Sequence, residues 1–191
     1  MFIGYSQTNN WWFNGFESAT DGAHYEILFQ FGGAIWKWAD PGFEGWSNGV
    51  SSRCAAGADP DRIVLDVTED FFISPSDPSL NVARVANDIR QAIATARSKY
   101  PTARQVWLQP VVGGPNNSVC AFGGNQADPV RASANHPFID QAISSVVGGM
   151  VVRGPSPEVF SCADYADDIG HLVSPAKDLI GQSIGAWYNS H

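Results

Sequence analysis

The chain has 191 residues, 44% of them hydrophobic and 16% charged, and 19 acidic against 11 basic residues give a formal net charge of −8 at pH 7. This length predicts one domain with its own hydrophobic core, spanning residues 1–191. So acidic a chain, with no basic run, argues against binding nucleic acid through its phosphates. No stretch is long and apolar enough to predict a membrane-spanning helix.

Strand and helix patterns alternate along the chain, which predicts a parallel sheet with helices on both faces. Strands are predicted at 1–5, 24–30, 62–68, 104–111 and 150–153, and helices at 11–20, 79–99, 137–147 and 174–188. Asp77 is the expected N-cap of the second helix, and Ser174 that of the last one. The order β-α-β-β-α-β-α-β-α therefore predicts an α/β fold with five parallel strands.

The stretch 33–61 is too long for a simple connection, and such stretches tend to carry small helices or functional residues. Five tryptophans lie within it or near the first strand: Trp11, Trp12, Trp36, Trp38 and Trp46. Aromatic faces line ligand pockets and stack on sugar rings, but these side chains can equally form a minor core. We take Trp11 and Trp36 as the candidates for substrate binding, and Trp107 and Trp187 as core residues.

The three cysteines, Cys54, Cys120 and Cys162, fit no zinc-binding spacing. Cys120 and Cys162 follow two successive predicted strands in Gly-, Pro- and Ser-rich loops, so they can meet as a disulfide and leave Cys54 free. The alternative is three free thiols. Together with the low lysine content, a disulfide favours a secreted protein.

Residues suited to acyl transfer stand at the two ends of the chain. Ser6 closes the first predicted strand, and Asp168-Ile-Gly-His171 precedes the last helix. All strands of a parallel sheet end at one rim, which predicts that Ser6 and His171 meet there. The imidazole would take the serine proton and the acid would orient the imidazole, with Asp167 as the alternative acid. The competing interpretation is a capping serine, a surface histidine and acids that favour a helix dipole.

These segments resemble the conserved blocks of the SGNH/GDSL hydrolase superfamily. Gly4-Tyr5-Ser6 stands where Gly-Asp-Ser is usual, Gly32-Gly33 follows the second strand, and Asp168-Ile-Gly-His171-Leu172 matches the last block. The resemblance extends in order and length over the whole chain. It implies a flavodoxin-like three-layer α/β/α sandwich that hydrolyses acyl esters, often acetyl groups on carbohydrates, or lipid esters.

By this resemblance Ser6 is the nucleophile, His171 the base and Asp168 its partner. The backbone N–H groups of Ser6 and Gly33 would donate to the oxyanion, and Gly32 would border the substrate.

The chain departs from the family in the third block, where Val67-Thr68-Glu69-Asp70 replaces Gly-x-Asn-Asp. The asparagine of that block donates to the oxyanion, and losing one such donor costs about 10²–10³ in rate. An ionised Glu69 cannot donate, but a carboxyl group kept protonated by burial can. Asn116, in Gly114-Pro-Asn116, is the alternative donor, and the sequence leaves this choice open.

The leading hypothesis is a serine esterase acting on a carbohydrate O-acetyl ester or another small acyl ester. The second is a glycan-binding module with a disabled oxyanion site, and the third a glycosidase using Glu69 and Asp70. Adjacent acids in one strand point to opposite sides, which is poor geometry for flanking one bond. The chain has no nucleotide or cofactor motif, and no histidine accompanies Asp66, Glu69 and Asp70 as a metal ligand, so no cofactor or metal is expected.

Overall fold

The computed structural model describes residues 1–20, 25–48, 51–52, 59–70, 78–124 and 129–191. Its central sheet has five parallel strands: β1 (Phe2–Gly4), β2 (Glu26–Phe29), β3 (Arg62–Val67), β4 (Gln105–Pro110) and β5 (Val151–Arg153). Their spatial order is β2-β1-β3-β4-β5, and the two-residue segment Ser51–Ser52 adds an antiparallel edge beside β2. The predicted α/β fold with a five-stranded parallel sheet is confirmed.

The order of the strands places a crevice at the end of β1. The chain passes from β1 to β2 on one side and then returns to place β3 on the other side of β1. In open α/β sheets, ligands bind at such a reversal, outside the carboxyl ends of the strands. Ser6 directly follows β1, and Thr68-Glu69-Asp70 directly follows β3, so both segments border this crevice.

Helices cover both faces of the sheet. They are α1 (Ser6–Trp11), which continues through a π-helical turn (Trp12–Phe16) and Glu17–Ala19, then α2 (Ile35–Ala39), α3 (Pro78–Lys99), α4 (Arg131–Ser144) and α5 (Ala176–Asn189). The first helical segment packs against α5, whereas α3 packs against both α2 and α4. None of the helices in the described ranges is both long and apolar enough to cross a bilayer.

The predicted helices are present, but three of their beginnings were predicted wrongly. The first helical segment begins at Ser6, five residues before the predicted start at residue 11. Helix α4 begins at Arg131, six residues before the predicted start, and contains Pro137. Its first N–H groups donate to the carbonyls of Asp168 and Ile169, distant in sequence, so no local cap announces the start. Ser174 does not cap α5, because Pro175 holds that position and the Ser174 hydroxyl donates to the Asp178 carboxylate.

The long stretch 33–61 carries α2 and a 3₁₀ turn at Glu44–Ser47, in agreement with the expectation of small helices. The predicted N-cap Asp77, the strand residue His24 and Cys54 lie outside the described residues.

Aromatic packing joins the two ends of the chain. The ring of Phe2 makes edge contacts with Trp11, Trp12, Phe16 and Tyr188. A Cβ atom on Gly181 would lie 2.4 Å from the carbonyl oxygen of Trp11, so this glycine lets α5 approach the first helical segment closely. The start and the end of the chain are thereby held side by side, which positions the site described next.

Candidate active site

Ser6 and His171 meet at the rim of the sheet although 165 residues separate them. Nε2 of His171 lies 2.8 Å from Oγ of Ser6. Ser6 begins α1 directly after β1, and His171 lies in the loop before α5. The side chain of Ser6 is largely buried and that of His171 is half-buried, so the pair borders solvent without being fully exposed.

The carboxylate that contacts the imidazole belongs to Asp167, not to Asp168 as expected. Nδ1 of His171 lies 2.5 Å from Oδ2 of Asp167. The second oxygen, Oδ1, accepts from the backbone N–H groups of Ile169, Gly170 and His171 at 3.1, 2.8 and 3.1 Å. Asp168 is exposed, and its backbone carbonyl accepts from the N–H of Arg131. The turn around the Asp167 side chain thus decides which acid reaches the base.

The electrostatics of this pair suit a general base. Partial burial raises the pKa of Asp167, but hydrogen bonds from the His171 ring and from the N–H groups of Gly170 and His171 outweigh burial, so the pKa lies below its usual range. An ionised Asp167 accepts a hydrogen bond from the N–H at Nδ1, which leaves Nε2 as the acceptor for the Ser6 hydroxyl. The three side chains are therefore arranged so that His171, oriented by Asp167, can remove a proton from Ser6.

Two polar residues of α1 hold the histidine loop in place. Gln7 donates from Nε2 to the carbonyl of Gly170 at 2.5 Å and accepts from the N–H of Val112 at 2.9 Å. Asn10 Oδ1 accepts from the N–H of Leu172 at 2.9 Å. Sequence analysis missed both residues; the signal that can reveal them is the polar run Ser6–Asn10 directly after a buried apolar strand.

Gly170 is required for the shape of this loop. Its φ of 117° disfavours any other residue, and a Cβ atom there would lie 2.3 Å from Cβ of Ala132. The glycine of the Asp-Ile-Gly-His sequence therefore allows the loop to lie against α4.

A buried hydrogen-bond chain supports the turn before Ser6. The N–H of Tyr5 donates to Oγ1 of Thr8 at 3.0 Å, and Thr8 donates to Oδ2 of Asp66 at 2.5 Å. Gly4 makes room for Thr8, because a Cβ atom at Gly4 would lie 2.1 Å from Oγ1. Burial raises the pKa of Asp66 to about 7, and the Thr8 hydrogen bond opposes this only in part.

Beside Ser6 lies a cavity of about 150 Å³. Residues from five segments line it: Tyr5, Ser6, Gly32, Ala34, Thr68, Glu69, Asp70, Arg131, Ala132 and Ile169. Gly32 has a φ of 65°, which bends the chain after β2 and brings this segment to the cavity. The cavity therefore brings together three of the predicted site residues, Ser6, Gly32 and Glu69.

Two of the predicted oxyanion donors are not available to this cavity. The N–H of Gly33 donates to the carbonyl of Gln30 at 2.9 Å, which closes a turn and occupies the hydrogen. Asn116 is exposed in the turn Pro115–Asn117 and is absent from the cavity wall. Both expectations are corrected, because a glycine pair or a Gly-x-Asn motif does not show where its N–H or amide points.

Glu69 borders the cavity, and its side chain is buried. It is 4% exposed, and neither carboxyl oxygen has a hydrogen-bond partner within the described part of the chain. Burial, with a smaller contribution from Asp88, raises the pKa of Glu69 to about 8, and Arg84 opposes the rise only in part. The carboxyl group is therefore mostly protonated at neutral pH and can act as a hydrogen-bond donor.

Trp36 contacts the cavity residue Asp70, whereas Trp11 is buried in the core. Trp36 is 44% exposed and donates from Nε1 to Oδ1 of Asp70 at 3.0 Å, while Lys37 pairs with the other oxygen of Asp70 at 2.9 Å. Trp11 is fully buried against Phe2, so its predicted role in substrate binding is corrected to a role in the core.

Trp36 also lines a second depression of about 330 Å³. Aromatic and acidic side chains line it together: Phe31, Trp36, Phe43, Asp40 and Glu44, with Lys37. Phe31 is 71% exposed and Trp36 44% exposed, so both rings are accessible in this depression.

Cys120 and Cys162 form a disulfide, which confirms that pairing. His136, which directly precedes the helix predicted at 137–147, is buried within α4, where its Nδ1 lies 2.9 Å from Oδ1 of Asn117. Across the described ranges no group of three or more histidine, cysteine or acidic side chains can hold a metal ion.

No family model matches the chain, and no curated protein matches it. Among solved structures, a carbohydrate esterase family 2 enzyme plus carbohydrate binding domain from Corynascus thermopiles (Myceliophthora fergusii) is similar, with a TM-score of 0.43 and 14% sequence identity. The match covers 98% of this chain and 65% of that chain, so the chain spans just under two thirds of the length of that protein.

Proposed function

We propose that the protein is a serine esterase that cleaves a small acyl ester, such as an O-acetyl ester of a carbohydrate. The observation that carries the proposal is the continuous series of contacts from Ser6 through His171 to Asp167 at the edge of a small cavity. This geometry matches the nucleophile, base and orienting acid of acyl transfer. The resemblance of the sequence blocks to SGNH/GDSL hydrolases supports the same reaction.

The reaction proceeds in two halves. Oγ of Ser6 attacks the ester carbonyl carbon while its proton passes to Nε2 of His171, and the carbonyl oxygen becomes an oxyanion. Collapse of this intermediate breaks the bond to the alcohol, which leaves with the proton from Nε2. Water then attacks the acyl-serine, again with His171 as base, and releases the carboxylic acid and free Ser6.

Two groups are suited to stabilise the oxyanion. The N–H of Ser6 is the first of α1, where the positive end of the helix dipole adds to its effect. A protonated Glu69, which borders the same cavity and has a buried carboxyl group, supplies a second donor in place of the family asparagine. Gly32 contributes backbone to the same wall.

The surroundings of the cavity favour a small acyl group and a sugar. The cavity beside Ser6 is small and bordered by Ala34, Ala132 and Ile169, which suits an acetyl group. The exposed rings of Trp36 and Phe31 can stack on a sugar, and Asp40 and Glu44 beside them can accept hydrogen bonds from its hydroxyl groups. The disulfide supports our proposal that the protein is secreted.

The test compares wild type with Ser6→Ala on 4-nitrophenyl acetate and on an acetylated oligosaccharide. We expect hydrolysis by wild type and its loss in the variant, while circular dichroism shows an unchanged fold. A fluorophosphonate probe should label Ser6 in wild type and fail to label the His171→Ala variant, since that serine has no base. Equal turnover by wild type and Ser6→Ala would refute the mechanism, and glycan binding without labelling would identify a binding module instead.

A further inference from the structure

One charged residue of the cavity wall has no part in the proposed reaction. Arg131 is the first residue of α4, is half-buried and lines the same cavity as Ser6. Nη1 of its guanidinium donates to the backbone carbonyl of Asp70 at 2.8 Å. The Nη2 and Nε groups have no acceptor among the residues that the structure describes.

The acids near Arg131 are engaged elsewhere. The Asp70 carboxylate is held by Lys37 and by Trp36, and the Asp167 carboxylate is held by His171. Within the described segments, no carboxylate forms an ion pair with Arg131. Glu69 carries little charge at neutral pH for the reason given above. A positive charge therefore faces the cavity without a negative partner, in a chain whose formal net charge is −8.

A guanidinium group with free N–H donors binds a carboxylate strongly, because its planar fork can donate two parallel hydrogen bonds. Its neighbours Ala132 and Ile169 are apolar, so a bound anion would have few competing polar contacts there. The small volume of the cavity suits a planar carboxylate better than a larger tetrahedral anion.

We propose that Arg131 binds a carboxylate carried by the substrate, so that the protein prefers anionic esters, such as an acetylated uronic acid, over neutral ones. This inference rests on the proposed esterase function and names its substrate class. The Asp70 carbonyl contact offers a competing, purely structural role for Arg131. A structural role affects all substrates alike, whereas charge recognition affects only the anionic ones.

The test uses two pairs of esters that differ only in charge. One pair is 4-acetoxybenzoate and its methyl ester, with the charge on the alcohol side. The other is 4-nitrophenyl hydrogen succinate and its methyl ester, with the charge on the acyl side. The readout is the ratio of kcat/KM for the anionic ester to that for the neutral ester, in wild type, Arg131→Gln and Arg131→Lys.

We expect the ratio in at least one pair to fall about 10- to 100-fold in Arg131→Gln, which is the range for losing a hydrogen bond to a charged group. Arg131→Lys, which keeps the charge without the fork, should retain part of the ratio. Unchanged ratios in both pairs would overturn the inference, whatever happens to the absolute rates.

A binding measurement separates this inference from the proposed function. In the Ser6→Ala background, isothermal titration should show that 4-acetoxybenzoate binds more tightly than its methyl ester, and Arg131→Gln should abolish the difference. If wild type hydrolyses neither pair, the esterase proposal fails while titration still decides the role of Arg131. Equal affinities of the acid and its methyl ester would refute the role even in an active esterase.

Discussion

Protonation of Glu69 should control the activity of the protein at alkaline pH. Burial raises its pKa to about 8, so about 90% of the carboxyl groups are protonated at pH 7 and about 10% at pH 9. If the protonated form donates to the oxyanion, the active fraction falls about tenfold between these two pH values. An ionised Glu69 also repels the oxyanion, which acts in the same direction.

Glu69→Gln is the matched variant, because its amide keeps a donor of similar shape that does not titrate. Wild type and variant share His171, so the ratio of their kcat values at each pH cancels the titration of that base. We expect this ratio to fall about tenfold from pH 7 to pH 9, measured with an aryl acetate after subtraction of spontaneous hydrolysis. Glu69→Ala, which lacks the donor, should lose about 10²–10³ in kcat relative to Glu69→Gln.

If the ratio of the kcat of wild type to that of Glu69→Gln stays constant from pH 7 to pH 10, this reasoning is refuted. Ionisation of Glu69 would then have no effect on the reaction. Thermal unfolding at the same pH values serves as the control. It distinguishes a loss of activity from a loss of folded protein.

Three further predictions follow from single contacts. Asp167→Asn should lower kcat by about 10³–10⁴ because it disturbs the tautomer of the base, whereas the exposed Asp168→Asn should change kcat less than about twofold. Folding raises the pKa of Asp66 from 3.8 to about 7, so this carboxyl group ionises in the unfolded state at a lower pH than in the folded state. The free energy of unfolding of wild type should therefore fall by up to about 4 kcal/mol between pH 4 and pH 7. Urea unfolding of Asp66→Asn should not show this fall. Replacing Cys120 and Cys162 by serine, which opens a bridge across 42 positions, should lower the free energy of unfolding by about 4 kcal/mol.

Each of these predictions has a contradicting outcome. Equal losses of kcat in the Asp167 and Asp168 variants would show that the charge of the loop matters rather than one carboxylate. Parallel curves of stability against pH for wild type and Asp66→Asn would show that Asp66 ionises normally in the folded protein. If the double serine variant is as stable as wild type, contacts other than the disulfide already restrict this part of the unfolded chain.

Several features of this protein follow from local sequence patterns. The alternation of apolar runs with helical periodicity predicted the parallel sheet, because a strand buried on both faces must be apolar throughout. The parallel sheet in turn predicted that Ser6 and His171 meet, since parallel strands end at one rim. The disulfide between Cys120 and Cys162 was predicted by the same reasoning, from the placement of two loops after neighbouring strands.

The sequence by itself thus determined the layers of the fold and the rim at which its reactive side chains gather, because these depend on periodicities of a few residues. Only the tertiary structure decided that Asp167 rather than Asp168 reaches the imidazole, that the N–H of Gly33 closes a turn, and that Trp11 is buried while Trp36 is exposed. These outcomes depend on the direction of single groups. Contacts between segments distant in the chain set those directions, and no local pattern records them.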